Sequence, residues 1–152
     1  MLNRTTMQQR WSIEGMFAVK NWHLQTALRW NRGMSYPLQM PTMSSYANLY
    51  YEKHYFNNAL EAQIGMDAIY MKGFYTPTFE PLWNDFSAQN TRLFNYQPSL
   101  GFFINARIED ARIFLRIDQL LQGVNGKGNY TGYAYPQYDR AFHVGVSWQF
   151  KD

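Results

Sequence analysis

The sequence has no cysteine, no long apolar run and little charge, and each absence excludes a class of protein. Without cysteine, the 152-residue chain forms no disulfide, no thiolate nucleophile and no cysteine zinc site. No stretch approaches the ~18 consecutive apolar residues of a transmembrane helix. Charged residues make up 16% of the chain, against about 25% in an average soluble domain. The net charge of +3 is too small and too scattered to predict a nucleic-acid partner.

The N-terminal residues also lack the apolar segment of a signal peptide. This leaves two expectations, a cytosolic chain or a mature or partial sequence. What the chain has in excess is aromatic residues, which make up 18% of it. High aromatic content with low net charge argues against disorder.

Apolar and polar residues alternate with a period of two along most of the chain, which is the pattern of strands with one apolar and one polar side. In 141–150, for example, every second residue from Phe142 to Phe150 is apolar. Six earlier segments alternate in the same way: 10–19, 22–31, 46–55, 60–70, 94–108 and 111–118. The sequence therefore predicts an all-β chain, taken as one domain over residues 1–152.

The connections between these segments alternate between short and long. Residue types that suit tight hairpin turns stand at 20–21, 57–58 and 109–110. Long connections rich in Gly, Pro, Asn and Tyr cover about 32–44, 73–92 and 119–139. Short turns that alternate with long loops are typical of antiparallel transmembrane β-barrels, with the turns in the periplasm and the loops outside.

A soluble β-sandwich or a lipocalin-like barrel would show the same alternation, but strand length and aromatic placement favour the membrane. Most segments have 10 to 15 residues, enough for the ~9–11 of a tilted crossing. Aromatic residues also cluster at the segment ends on the apolar side, as in the girdles of membrane barrels. They are Trp11, Trp30, Tyr70, Phe94 and Tyr96 at the loop ends, and Trp22, Tyr55, Trp148 and Phe150 at the turn ends.

The charges on the polar side are a third feature that favours a membrane barrel. All five lysines fall in loops or towards segment ends, whereas the polar side carries five arginines and five acids. Balanced guanidinium and carboxylate groups are expected in an ion-paired, water-filled lumen rather than on an open surface. The predicted lumen-lining residues are Arg10, Glu14, Arg29, Glu52, Glu61, Asp67, Arg107, Arg112, Arg116 and Asp118.

The C-terminal residues carry a recognisable motif. His143, Gly145, Trp148 and Phe150 follow the order polar, x, Gly, x, x, aromatic, x, aromatic. This resembles the β-signal of bacterial outer-membrane barrels, which the barrel-assembly machinery recognises during insertion, although two residues follow the last aromatic here. The longer stretch 135–152 resembles the end of the putative-porin family of Bacteroidota. The resemblance implies a porin in the bacterial outer membrane, with the lipid bilayer and the assembly machinery as partners.

Strand parity leaves two architectures open. A complete bacterial barrel has an even number of strands and both ends in the periplasm, whereas seven segments are visible. The count fits the C-terminal part of a larger barrel, with residues 1–9 on the outside. The alternative is a complete eight-stranded barrel whose eighth strand lies in 1–9 or 36–45.

No enzyme and no cofactor are predicted. His143 and Ser147 share a side but lie roughly 13 Å apart along an extended strand, too far for a nucleophile and its base. His23, His54 and Glu52 could hold a metal ion, but hydrogen bonding in a lumen is the favoured interpretation, and no metal site is predicted. Glu61 and Asp67 are expected to pair with arginines across strands.

The predicted function is passive diffusion of small hydrophilic solutes through a porin or porin-like barrel. The main alternative is a small closed eight-stranded barrel that acts as an adhesin or structural protein through its aromatic loops, and a soluble carrier barrel is a third. The aromatic residues of the long loops could stack on sugars or narrow a pore, but packing against each other is the favoured prediction.

Overall fold

The computed structural model describes residues 9–32, 40–94, 96, 98–124, 130–132 and 135–149, and every regular element among them is a β-strand. Seven long strands of eight to 13 residues form one sheet. They are β1 (Gln9–Val19), β2 (Trp22–Arg32), β3 (Met43–Tyr55), β4 (Leu60–Lys72), β9 (Ser99–Ile108), β10 (Ala111–Asp118) and β13 (Ala141–Trp148). Among the described residues no helix is long and apolar enough to cross a bilayer.

Six short strands form three two-stranded ribbons in the long connections. The ribbons are β5 (Phe74–Tyr75) with β8 (Leu93–Phe94), β6 (Thr78–Glu80) with β7 (Asp85–Ser87), and β11 (Tyr130–Gly132) with β12 (Tyr135–Pro136). The first two ribbons lie in the connection from β4 to β9, and the third lies in the connection from β10 to β13.

The main sheet is antiparallel throughout, and its strands stand in the order β1-β2-β3-β4-β9-β10-β13. Strands that follow each other in the sequence are therefore neighbours in space, apart from the short ribbons. β1 and β13 form the two edges and are not paired with each other. The all-β antiparallel prediction is confirmed. Of the places considered for an eighth strand, 43–45 belong to β3, whereas 1–8 and 36–39 lie outside the described residues.

The prediction of one strand over 94–108 was wrong at its N-terminal end. β9 begins at Ser99, and Phe94 instead pairs with Phe74 in the β5–β8 ribbon. The alternation of apolar residues continues through Tyr96 and Pro98, but proline has no N–H to donate to a ladder. The last predicted segment also ends early, since β13 stops at Trp148, and Phe150 lies outside the described residues.

The tight turns lie where the sequence predicts them. Lys20 and Glu109 have φ values of 55° and 51°, the left-handed conformation that a two-residue hairpin turn demands. The middle turn is longer than predicted and spans 56–59. Asn57 and Asn58 adopt positive φ there, which asparagine tolerates better than most residues because its short amide bonds locally.

Register divides the sheet into one apolar and one polar face. Residues that stand opposite each other in an antiparallel pair point to the same side. Ile64 of β4 stands opposite Tyr51 of β3 and Ile104 of β9, and Ile104 stands opposite Leu115 of β10. Leu115 in turn faces Val144 of β13. In the other direction, Tyr51 stands opposite Trp22 of β2, and Trp22 stands opposite Val19 of β1. The apolar face thus extends from one edge strand to the other.

No second layer covers this apolar face. Among the described residues no apolar side chain is buried, whereas a soluble β-sandwich would bury one face of each sheet in a core. The edge strands are the most open: Phe17 is 61% exposed and Val146 is 67% exposed. The long strands therefore form one sheet whose apolar side no described residue covers.

Candidate functional site

The polar face of the sheet is the candidate functional site. Register places all ten predicted lumen residues on this face. They occupy six of the seven long strands, all except β13. The two edges differ, because β1 carries Arg10 and Glu14 whereas β13 carries only His143 as an ionisable group within the strand. The assignment of the ten residues to a lumen stays a prediction, since the described strands form an open sheet.

Arg116 of β10 is the centre of the most extensive ion-pair network. Its Nη1 lies 2.9 Å from Asp67 Oδ1, and its Nη2 donates to Asp67 Oδ2 at 3.1 Å. Its Nε donates to Asp118 Oδ1 at 2.7 Å, and Asp118 Oδ2 lies 3.2 Å from His143 Nε2. One guanidinium thus joins carboxylates on β4 and β10, and the network extends to β13.

Gly101 of β9 makes this reach possible, because β9 lies between β4 and β10. A Cβ at residue 101 would stand 2.8 Å from Asp67 Oδ1 and 2.9 Å from Arg116 Nη2. Any side chain at this position would therefore displace the ion pair. The sequence prediction missed Gly101. A glycine in an alternating strand indicates that some group approaches the backbone closely, but it does not identify that group.

Two further ion pairs join neighbouring strands. Arg29 Nη2 donates to Glu14 Oε1 at 2.8 Å between β2 and β1, and Arg107 Nη2 lies 3.2 Å from Glu61 Oε2 between β9 and β4. The expected pairing of Glu61 and Asp67 with arginines across strands is therefore seen in the structure. Each of these pairs spans a single strand boundary, as cross-strand charge pairs commonly do.

Glu52 belongs to a chain of amides rather than to an arginine pair. Gln63 of β4 donates to Glu52 Oε2 at 2.8 Å, and Asn105 of β9 donates to Gln63 Oε1 at 3.2 Å. His54 Nε2 lies 3.8 Å from Glu52 Oε1. Sequence reasoning missed Gln63 and Asn105, although uncharged amides at polar positions of adjacent strands were visible.

Arg10 and Arg112 are the two predicted lumen arginines without an acidic partner in the described part of the chain. Arg10 donates to Asn31 Oδ1 at 3.3 Å and to Met40 Sδ at 3.2 Å. Arg112 stands opposite Arg107 on one side and Ser147 on the other. Arg10, near the start of β1, and Arg112, near the start of β10, therefore carry positive charges that no described carboxylate neutralises. The other three predicted lumen arginines are ion-paired.

The three residues considered for a metal site do not converge. His23 stacks on Tyr50, with ring centroids 4.8 Å apart and planes 9° apart, while His54 lies beside Glu52. No group of three metal-ligating side chains comes together within the described residues. His23 therefore makes a stacked ring contact, and His54 makes a polar contact with Glu52.

The C-terminal motif falls on both faces of β13. His143 and Gly145 lie on the polar face, opposite Arg116 and Phe114, whereas Trp148 lies on the apolar face opposite Ala111. The Phe114 ring occupies the space in which Gly145 would carry a Cβ. Gly145 therefore has a packing role in addition to any part in assembly, and Phe150 lies outside the described residues.

A family model described as putative porin matches residues 5–152. The chain belongs to this putative-porin family. The family predicted from residues 135–152 is confirmed, and the match extends far beyond that stretch to almost the whole chain. No curated protein and no solved structure matches the chain. At a coarse level, family membership supports a porin-like function and a β-barrel setting for the sheet.

The apolar face of this porin-family chain carries aromatic residues near both ends of its strands. Near the loop ends, Trp11 stands opposite Trp30. Near the turn ends, the Trp22 and Tyr51 rings meet edge to face at 5.2 Å, and Asn21 Nδ2 donates to the Tyr51 hydroxyl at 3.2 Å. The sequence prediction did not include Tyr51 among the aromatic residues at the turn ends. Phe94 was wrongly included, because it leaves the main sheet for the β5–β8 ribbon.

The long loops order themselves through aromatic contacts. Phe74 meets Phe94 with centroids 5.5 Å apart, Phe79 meets Phe86 at 5.4 Å, and Phe86 meets Tyr135 of the other long loop at 5.7 Å. These contacts agree with the prediction that loop aromatics pack against each other. The hairpin tip is an exception, since Leu82 is 90% exposed and Trp83 is 81% exposed.

Proposed function

We propose that this member of the putative-porin family is a transmembrane β-barrel protein of the bacterial outer membrane that lets small hydrophilic solutes diffuse passively. The observation that carries the proposal is the apolar face, which is continuous over seven strands and covered by nothing in the described chain. In a bilayer, acyl chains would cover this face and no apolar surface would contact water. In aqueous solution, the same face would be a large exposed apolar patch, which soluble proteins rarely carry.

The opposite face supports an aqueous lumen. Its guanidinium and carboxylate groups pair across strands, and its amides form a hydrogen-bonded chain. In a barrel wall these groups would meet water while the other face meets lipid. Open strand edges are not tolerated in hydrocarbon, so β1 and β13 would be paired in the membrane, with each other or with further strands.

The proposal includes no reaction and no cofactor. The partners it requires are the lipids of the outer membrane and, during insertion, the barrel-assembly machinery, which would read the C-terminal strand. The strands have eight to 13 residues, and the shortest, β10 and β13, are close to the ~9–11 of a tilted crossing.

Planar-bilayer conductance of the intact, folded protein tests the proposal. We expect stepwise current increases on addition of the protein, with steps that persist at constant voltage. Folding is checked beforehand by the shift in electrophoretic mobility on heating and by a β-sheet circular dichroism spectrum. Folded protein that inserts into lipid vesicles without any conductance contradicts the pore.

A closed barrel that acts as an adhesin is the second candidate, favoured by the exposed Leu82 and Trp83 at the tip of the β6–β7 hairpin. Exposed apolar side chains at a hairpin tip are typical of a contact surface rather than of a packed loop. Insertion without conductance, together with adhesion that the Trp83→Ala variant loses, would favour this function over the pore.

A further inference from the structure

We propose that Arg107 and Arg112 form a binding site for small oxyanions, the carboxylate or phosphate groups of passing solutes, at the turn end of the polar face. This inference rests on the proposed pore and adds to it the class of solute that the wall favours. The two arginines stand directly opposite each other on β9 and β10, near the 109–110 turn.

The charge balance at this point leaves one cation open. Glu61 Oε2 lies 3.2 Å from Arg107 and neutralises it. Arg112 has no acidic partner among the described residues, and its other cross-strand neighbour is Ser147. Like charges directly opposite each other destabilise a sheet, so an anion held between the two guanidinium groups would remove a repulsion as well as gain a contact.

Arg116 and Arg29 differ from Arg112 in that each has a carboxylate partner. Arg116 lies between Asp67 and Asp118, and Arg29 is bound to Glu14. Their carboxylates already occupy the positions that a solute anion would need. Arg112 presents a planar fork of donors that suits bidentate contact with a carboxylate or a phosphate.

A recess on the polar face lies beside the two arginines. This recess of about 390 Å³ is lined on the polar face by Glu61, Gln63, Asn105, Arg107, Arg112 and Phe114. The Asn105 amide uses one hydrogen for Gln63 Oε1 and retains a second, since an amide nitrogen carries two. With two guanidinium groups and one carboxylate, the recess has a formal charge of +1, which matches a monoanion.

Ion selectivity of single channels in a KCl gradient tests the site. We expect Arg112→Gln to lower the chloride-to-potassium permeability ratio by about two- to fivefold, the effect of one unit charge at close range in water. Lys53→Gln is the matched control, because Lys53 lies near the turn ends but on the apolar face, where its Nζ stands 5.0 Å above the Tyr55 ring. It removes the same charge and should leave the ratio unchanged.

Inorganic phosphate and acetate, added separately, distinguish the two oxyanions. Each should reduce the chloride current of the native protein, and the one that does so at lower concentration identifies the preferred group. Arg112→Lys should keep the permeability ratio but bind the oxyanion more weakly, since lysine retains the charge without the planar fork. Equal ratios in the native protein and in Arg112→Gln, with both conducting, would overturn the site.

A second readout separates failure of the site from failure of the pore. Phosphate binding is measured by ³¹P line broadening with the folded protein in detergent, where no conductance is required. Broadening that Arg112→Gln abolishes and Lys53→Gln preserves supports the site even if no current is seen. Absence of broadening in the native protein, without any selectivity effect, overturns it.

Discussion

Glycines on the polar face leave space in which large side chains of neighbouring strands lie over the sheet. Gly101 leaves the path from Arg116 to Asp67 open, and Gly145 leaves the space that the Phe114 ring occupies. Neither glycine has a positive φ, so space, and not backbone conformation, explains both. An aromatic ring over a cross-strand glycine also restores packing that the missing side chain would have supplied.

At the residue scale we predict that Gly145→Val destabilises the folded protein by about 1–3 kcal/mol, because its side chain and the Phe114 ring cannot share one space. Urea unfolding in lipid vesicles measures the loss. The double variant with Phe114→Ala should recover most of it, since the smaller residue vacates that space.

The same pair of variants separates packing from recognition by the assembly machinery. Refolding of the purified protein in lipid vesicles omits the machinery, so a loss that appears only in cells would assign Gly145 to recognition. A double variant as unstable in vitro as Gly145→Val alone, with Phe114→Ala itself folding normally, would refute the packing role.

At the scale of elements, the long strands and the long loops are held by different interactions. Continuous hydrogen-bonded ladders hold the strands of the main sheet. The loops depend on short ribbons, on side-chain hydrogen bonds such as those of Gln89 and Arg140, and on a few aromatic contacts. Of these, the Phe86–Tyr135 contact joins two loops. The loops should therefore open locally while the sheet remains intact.

We predict that Phe86→Ala increases trypsin cleavage after Arg92 several-fold without changing the unfolding midpoint of the sheet. Phe86 contacts both Phe79 and Tyr135, so its removal frees the β6–β7 hairpin from the neighbouring loop. Trp83→Ala is the control, because Trp83 is 81% exposed at the hairpin tip. Equal cleavage of the two variants would show that the aromatic cluster does not order the loop.

At the scale of the whole molecule, the decisive property is that one sheet has two faces of opposite chemistry and no core. A soluble domain derives most of its stability from an apolar core, and none is present in the described residues. On the proposed function, the folded state depends on an apolar environment outside the described part of the chain. The family match supports lipid as that environment.

Adjacent substitutions in β9 test this dependence. Ile104→Lys would place a charge on the apolar face near the middle of the strand, at a cost of about 2–4 kcal/mol if this face meets the bilayer. Asn105→Lys places the same charge on the polar face and should cost far less. Urea titration in lipid vesicles measures both, and equal costs would contradict the assignment of the apolar face to lipid.

The two faces, the positions of the tight turns and the motif at the C-terminus were all visible in the sequence. Side chains alternate strictly along any strand, so the composition of each face follows from local order alone. The same local pattern failed at 94–98, because apolar alternation continues past the point at which the hydrogen-bonded ladder ends.

Only the tertiary structure decided which charges meet. Arg116 is 49 residues from Asp67 in the sequence, and their contact depends on the register of three strands and on the space left by Gly101. Likewise, only the register shows that Arg112 lacks a carboxylate partner, because it places Arg107 and Ser147 opposite Arg112. Local sequence sets the side on which each residue lies, whereas its partner depends on how distant strands align, since that alignment is the sum of all pairings in the sheet.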